Sequence, residues 1–286
     1  MLDYCEGTTI HVPGKIVLAG EYAVLDGCPA LSLAIDRGVG CNIEQGSGIT
    51  TPNGDTRFVS PALKTLAQHR KFSFFDWNPI MGLGDQKPGF GGSAAACVAS
   101  CIAAGIPKEK AFTIHYDVQG SGSGIDVATS IHGGLIRYNK DKVEPLPIVH
   151  PTIIWSGSSA KTGPRVQNYL SWKKRSSFVH ETEDLVAHFS SSPIETCRAL
   201  YRLLCSMSKE AQIEYHTESI DTIVQCAEQH NGGCKPSGAG GGDCLIAFFP
   251  DEESKQAFHN DCIFPIISAQ PCHGPEIIVN KDNHHE

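Results

Sequence analysis

One segment, residues 87–105, restricts the fold of this chain more than any other, because it joins a glycine-rich turn to a run of small side chains. Gly89, Gly91 and Gly92 precede Ser93, and nearly every residue from 93 to 104 is small. Gly105 then provides a helix C-cap, and the proline at 107 prevents the helix from continuing. The pattern predicts a compact helix whose narrow surface can pack closely against a sheet or a ligand.

The glycines of this turn allow two interpretations. They can direct backbone N–H groups toward one point, and the helix that begins at Ser93 adds the positive end of its dipole, an arrangement that suits phosphate. Alternatively, glycine and alanine here only permit close packing of a helix on a sheet. The segment is not a Walker A loop, because no Gly-Lys-Ser or Gly-Lys-Thr follows the glycines.

Three further segments carry residues that suit phosphoryl transfer. Lys15 stands beside a turn where an apolar strand begins, so it can neutralise phosphate charge or remain an ordinary surface lysine. Asp126 follows Ser123 at the spacing of a capping box, so it can face a reacting group or only complete a helix N-terminus. The glycines of 238–242 are costly to order unless backbone passes close to a ligand or to another segment.

Apolar runs and turn residues predict a mixed α/β (α+β) chain with helices packed on sheets. We expect two lobes, residues 1–150 and residues 151–286, without an internal repeat. Strands are predicted at 16–19, 30–35, 135–138, 152–155, 244–249, 262–267 and 277–280. Helices are predicted at 62–71, 93–104, 108–119, 123–133 and 251–259, with three helical stretches within 165–229.

Composition narrows the class of partner. The chain has 286 residues, no run long and apolar enough for a membrane span, and no basic start of a signal peptide, so we expect a soluble cytoplasmic protein. A formal charge of −8 argues against nucleic acid or an anionic membrane as the main partner. The 12 cysteines are scattered and lack metal-ligand spacing, which favours reduced, buried thiols. The assembly is expected to be a monomer or a homodimer.

Taken in order, these segments resemble the GHMP kinases, the family of galactokinase, homoserine kinase, mevalonate kinase and phosphomevalonate kinase. Residues 13–25 are similar to the first family motif, residues 89–95 to the phosphate loop G-L-G-S-S-A-A, and residues 238–243 to the third motif G-A-G-G-G-D. Residues 20–25 and 119–128 look most like the phosphomevalonate kinase branch. The resemblance extends from about residue 11 to 249, and it is weakest over 150–230.

The resemblance implies a fold and a reaction. The fold would be two-lobed, with an N-terminal lobe like ribosomal protein S5 domain 2, a C-terminal ferredoxin-like lobe, and the site between them. The reaction would be ATP-dependent phosphorylation of a small metabolite, with Mg²⁺ as cofactor and mevalonate 5-phosphate as the expected acceptor, giving mevalonate 5-diphosphate. The alternatives are mevalonate or another small alcohol as acceptor and, less favoured, a non-catalytic member that binds a metabolite.

The resemblance also assigns roles to individual residues. Lys15 and Asp126 would be catalytic, and Ser93 would contact magnesium. Nucleotide binding would involve Gly89, Gly91, Gly92, Ser93, Ala94 and Ala95. Acceptor binding would involve Tyr22, His115, Ser123, Lys161, Thr162, Gly238, Ala239 and Gly240. A phosphorylated acceptor would also need cations, because it repels ATP; the candidates are Lys15, Lys87, Arg137, Lys161 and Arg165, and for each except Lys15 the alternative is an ordinary solvated charge.

Two positions depart from the family pattern. Gly92 occupies the place of the first serine of the phosphate loop, which removes one hydroxyl from the phosphate or magnesium contacts. His115 stands where mevalonate kinases carry a magnesium-binding glutamate. A magnesium site built from protein ligands alone is therefore not expected.

Overall fold

The fold combines two β-sheets with helices packed against them, which confirms the predicted α/β class. The computed structural model describes residues 6–80, 88–140, 142–160 and 162–279. In that part of the chain no helix is both long and apolar enough to cross a membrane.

The first sheet contains seven strands among the described residues. The strands are β1 (Thr8–Ala19), β2 (Ala30–Glu44), β3 (Gly48–Thr50), β4 (Lys71–Trp77), β5 (Leu135–Asn139), β6 (Lys142–Leu146) and β11 (Glu276–Val279). The long hairpin of β1 and β2 forms the centre of the sheet, β11 pairs with the outer side of β1, and β5 and β4 pair with opposite ends of β2. β3 extends the sheet beyond β4, and β6 beyond β5.

An irregularity in the β1–β2 pairing positions Lys15. The register shifts between Pro13 and Gly14, and a Cβ on Gly14 would lie 2.6 Å from the carbonyl oxygen of Phe90. The N–H of Lys15 donates to that same oxygen at 2.9 Å. Bulges commonly redirect side chains beside functional sites, and here the bulge joins β1 directly to the segment that precedes the predicted small-residue helix.

Four helices cover the first sheet among the described residues. The second of them is the predicted compact helix, and its alanine, cysteine, valine and isoleucine side chains are almost all buried against β1 and β2. The small side chains are what allow this close contact. The helices are α1 (Ser60–Leu63), α2 (Gly92–Ala103), α3 (Lys110–Gln119) and α4 (Ile125–His132).

The second sheet has the ferredoxin-like strand order that the family resemblance implies. Its strands are β7 (Thr152–Trp155), β8 (Gly233–Pro236), β9 (Cys244–Phe248) and β10 (Ile266–Ile267). They are antiparallel and lie in the order β10, β7, β9, β8. The helices of this part are α5 (Thr162–Ser171), α6 (Arg175–His188), α7 (Pro193–Glu210), α8 (Glu218–Gln229) and α9 (Glu252–Asp261).

Several local predictions were wrong. The stretch expected to hold three helices holds four, because short polar breaks separate α5, α6, α7 and α8. Strands β3, β4, β6 and β8 were missed, and only the last two residues of the strand predicted at 262–267 form β10. Most of 62–71 forms only short helical turns before β4 begins. The division at residue 150 stays a prediction; the strands change sheet near that position, although β11 returns to the first sheet.

Candidate active site

A cavity of about 1290 Å³ brings together residues from the segments around Lys15, Gly89, Asp126 and Gly238. Residues of the first sheet, α2 and α4 line it together with residues that follow β7 and β8. Both catalytic residues that the family resemblance implies, Lys15 and Asp126, lie in its wall. Segments that are far apart in the chain therefore meet at one site.

The loop before α2 provides backbone donors at this cavity. Gly91 is the N-cap of α2 with a left-handed φ of 73°, and within the described residues no side chain caps the helix start. The first N–H groups of α2 are thus available to an anion, and the helix dipole favours negative charge there. Gly89, Gly91, Gly92 and Ser93 line the cavity.

Lys15 and Asp126 form an ion pair across this loop. Lys15 Nζ lies 3.4 Å from Asp126 Oδ1, with the lysine side chain 8% exposed and the aspartate side chain 35% exposed. The same Nζ donates to the carbonyl oxygen of Gly89 at 3.2 Å. Asp126 lies in the first turn of α4, but its carboxylate reaches Lys15, so the capping-box alternative does not describe its contact.

His115 extends the site on the side of α3. Its Nε2 lies 3.1 Å from Ser93 Oγ, and its ring packs against Phe58 with the centroids 5.1 Å apart. Burial lowers the pKa of His115 below its ordinary value, and the negative charge of Asp126 only partly opposes this. The imidazole is therefore neutral at pH 7 and adds no charge to the loop.

The segment after β8 closes the cavity from the second sheet. Ser237 Oγ accepts from the N–H of Val17 at 2.8 Å, and the hydroxyl of Tyr22 donates to the carbonyl oxygen of Ala239 at 2.6 Å. Tyr22 is itself buried with a positive φ of 61°, and burial raises the pKa of its hydroxyl. The hydroxyl is thus a neutral donor that ties the turn after β1 to this loop.

A buried ion pair that sequence reasoning missed lies beneath the same loop. Lys235 Nζ bonds to Glu21 Oε1 and donates to the carbonyl oxygen of Pro236 at 2.8 Å. The lysine side chain is 0% exposed and the glutamate side chain 2% exposed. Nothing in the sequence around Lys235 indicates its partner, because Glu21 lies more than 200 residues away.

Some residues that the resemblance assigned to the site do not line the cavity. The side chains of Ala94 and Ala95 are buried against the first sheet although both residues belong to the first turn of α2, and Gly240 packs against the ring of Tyr215. Arg137 lies on β5 and Arg165 beside Gly241, both outside the cavity lining. Lys87, Lys161 and the side chain of Thr162 lie outside the described part of the chain. Ser123, Gly238 and Ala239 do line the cavity.

Other lining residues were not anticipated. Asp243, which packs on Gly89, borders the cavity together with Ser159, Ala160 and Lys140. The aromatic part of the lining includes Phe58, which packs against His115, and Trp77. Aromatic residues after turns are ordinary core features in a sequence, so only the folded arrangement distinguishes this part of the lining.

The donors near the loop suit magnesium that arrives with phosphates. Magnesium prefers oxygen ligands, keeps several waters, and is often held by one or two carboxylates together with substrate phosphates. Ser93 offers a hydroxyl and Asp126 a carboxylate, whereas no group of three or more His, Cys, Asp or Glu that could hold a metal occurs within residues 6–80, 88–140, 142–160 and 162–279. The residues present therefore fit a shared ion better than a protein cage.

Comparison with known proteins gives consistent matches. Residues 190–262 match the family model described as GHMP kinases C terminal. A mevalonate kinase from Thermococcus sibiricus is 26% identical over 309 aligned residues, which cover 86% of this chain and 90% of that protein. A phosphomevalonate kinase from Streptomyces sp. strain CL190 is 24% identical over 342 aligned residues, which cover 87% of this chain and 91% of that protein.

A solved structure shares the whole fold. Streptococcus pneumoniae phosphomevalonate kinase in complex with phosphomevalonate and AMPPNP aligns with a TM-score of 0.73 at 17% identity, covering 92% of this chain and 99% of that chain. Identity this low shows the fold alone. Similarity in sequence, beyond similarity in fold, rests on the family model and the two kinases described above.

Proposed function

Because this chain belongs to the GHMP kinase family and is therefore a kinase, we propose that it transfers the γ-phosphoryl group of ATP to mevalonate 5-phosphate. The observation that carries the proposal is the Lys15–Asp126 pair at 3.4 Å, set between the start of α2 and the start of α4. Phosphoryl transfer needs positioning and charge neutralisation more than covalent chemistry by the protein. This arrangement supplies both.

The two helix starts support a reaction with two phosphate-bearing substrates. The α2 loop suits the nucleotide phosphates, and the α4 start, preceded by residues 121–124 in the cavity wall, suits a second anion. The hydroxyl of Tyr138 donates to the carbonyl oxygen of Ser123 at 2.7 Å and so anchors the segment before α4, and Lys140 provides a cation in the lining of the same cavity. An acceptor that carries its own phosphate presents a mostly dianionic group to these donors at pH 7, whereas mevalonate presents only a singly charged carboxylate.

In the proposed mechanism, an oxygen of the acceptor phosphate attacks the γ-phosphorus and the bond to the β,γ-bridging oxygen breaks, releasing ADP. Lys15 neutralises charge that develops on the transferred group, and the N–H groups of α2 hold the nucleotide phosphates. Bound magnesium, held by Ser93, Asp126 and the nucleotide, would supply further charge neutralisation. A phosphomonoester is mostly dianionic at pH 7, so Asp126 orients this acceptor and does not need to remove a proton.

Mevalonate is the second candidate acceptor, and the match to a mevalonate kinase over 86% of this chain favours it. In that case the attacking group is a hydroxyl, and Asp126 would take its proton. The acceptor hydroxyl would then lie within hydrogen-bond reach of the aspartate. The two candidates therefore assign different work to the same carboxylate.

A panel of acceptors tests the proposal. ADP release would be measured with ATP and magnesium plus mevalonate 5-phosphate, mevalonate or no acceptor, with the Lys15→Met variant as the blank. We expect kcat/KM for mevalonate 5-phosphate to exceed that for mevalonate by at least about 100-fold, because the polar groups that bind phosphate are left unpaired by the smaller substrate. A preference for mevalonate would select the second candidate, and turnover with neither would reject both.

The α2 loop is expected to tolerate no side chain at Gly91. A Cβ there would lie 3.2 Å from Lys15 Cε and Cγ, and the φ of 73° costs a non-glycine residue about 1–2 kcal/mol. Gly91→Ala should therefore raise the KM for ATP and lower kcat by displacing Lys15. Gly54→Ala is the matched control, because its φ is 72° and its Cβ would meet nothing within 4 Å. Equal kinetic losses in both variants would contradict the role of this contact.

A further inference from the structure

Asp243 ends the third glycine-rich segment in a conformation that needs a reason. Its φ is 57°, in the left-handed region that glycine adopts freely and that aspartate and asparagine tolerate better than most residues. The five residues before Asp243 are four glycines and one alanine, so another glycine at position 243 would have adopted this conformation without strain. A carboxylate at this position must therefore make contacts that offset the strained backbone.

The contacts of Asp243 hold the segment that follows β7. Its N–H donates to the carbonyl oxygen of Ser158 at 2.7 Å, and its own carbonyl oxygen accepts from the N–H of Ser156 at 3.1 Å. Its side-chain Oδ1 accepts from the N–H of Ala160 at 3.0 Å. Ser159 and Ala160 line the cavity, and the chain runs from them into α5. One residue thus fixes three points of residues 156–160.

The other face of the carboxylate contacts the phosphate-binding loop. A Cβ placed on Gly89 would lie 2.6 Å from Asp243 Cγ and 2.7 Å from Oδ2, so the glycine backbone packs directly on this side chain. The carbonyl oxygen of Gly89 accepts from Lys15 Nζ at 3.2 Å. Burial raises the pKa of Asp243 above its usual value, while the Ala160 N–H and the charges of Lys15 and Arg165 oppose that shift. The carboxylate therefore lies between two loops that line one cavity.

We propose that Asp243 is a positioning residue that holds residues 156–160 against the phosphate-binding loop and thereby sets the acceptor side of the cavity. The kinetic part of this inference rests on the proposed function, because it treats 156–160 as acceptor-facing. The effect runs through Oδ1 and the Ala160 N–H, since that is the side-chain contact on the segment. Loss of this contact is therefore expected to weaken acceptor binding more than it slows the transfer step.

Two substitutions separate the hydrogen bond from the charge. Asp243→Asn keeps an oxygen for the Ala160 N–H and tolerates the left-handed backbone, but it removes the negative charge. Asp243→Gly relieves the backbone strain and removes the side-chain contact, so it is expected to fold. We expect Asp243→Gly to raise the acceptor KM about tenfold with kcat within about threefold, because small displacements of positioning groups act strongly on binding and orientation. Asp243→Asn should restore the acceptor KM to near that of the unaltered protein.

Amide hydrogen exchange provides a readout that needs no substrate. Peptides covering 156–160 should exchange faster in Asp243→Gly than in the unaltered protein or in Asp243→Asn, while peptides covering α7 should be unchanged. Equal exchange in all three proteins would overturn the proposal. So would an Asp243→Asn variant that raises the acceptor KM as much as Asp243→Gly does, because the negative charge, and not the contact with the Ala160 N–H, would then account for the effect. If the unaltered protein turns over no acceptor, the proposed function fails, and the exchange measurement alone still decides whether Asp243 holds this segment.

Discussion

Lys15→Met is expected to lower kcat by about 100- to 1,000-fold, the loss typical of removing one preorganised donor from developing charge. The lysine side chain is only 8% exposed, and its Nζ lies between the Gly89 carbonyl oxygen and Asp126 Oδ1. In such a water-poor position an ammonium group acts more strongly on a phosphoryl group than it would in bulk solvent. Steady-state ADP release with saturating substrates measures the change.

Two comparisons make the Lys15 prediction specific. Lys71→Met removes a lysine of the same sheet that pairs with Glu44 at 2.9 Å on the surface, and it should leave kcat within about twofold because exposed pairs contribute little. The double variant Lys15→Met with Asp126→Asn should lose much less than the product of the single losses, since the two groups act as a unit. A Lys15→Met protein that changes only KM would contradict a role in the transfer step.

Lys235→Met is expected to lower the free energy of unfolding by about 3–5 kcal/mol, the cost of leaving one member of a buried ion pair uncompensated. The glutamate side chain of this pair is 2% exposed, and its Oε2 has no hydrogen-bond partner among the described residues. Removal of the lysine would leave this carboxylate buried without its cation. Urea unfolding followed by circular dichroism measures the difference.

Restoring neutrality should recover most of that stability. The double variant Glu21→Gln with Lys235→Met removes both charges and keeps similar side-chain volumes, so it should lie much closer to the unaltered protein than Lys235→Met does. Lys255→Met is the surface control: Lys255 pairs with Glu252 at 3.1 Å and is 38% exposed, so its loss should cost less than about 1 kcal/mol. Similar losses for Lys235→Met and Lys255→Met would show that burial does not control the energy of the pair.

Local sequence patterns determined some of the elements that surround the cavity. Residues 93–104 were predicted as a helix and form α2 within one residue at each end, because small side chains, a preceding glycine turn and Gly105 are signals confined to that segment. The strand at 152–155 was predicted with its observed bounds, since a short apolar run after proline has few alternatives. Long stretches of helical composition were less informative, because breaks between α5, α6, α7 and α8 depend on packing.

The sequence by itself thus determined the mixed α/β class and, through motif resemblance, the likeness to the GHMP kinases, both of which depend on local residue order. The resemblance also predicted that Lys15 and Asp126 share one site, but only the tertiary structure showed their contact and decided that Glu21 meets Lys235 and that Asp243 meets Gly89. Each pair joins residues more than 70 positions apart, and no periodicity or cap relates them. Such contacts arise when two sheets and their loops pack together, which buries charges and aligns backbone donors in one cavity.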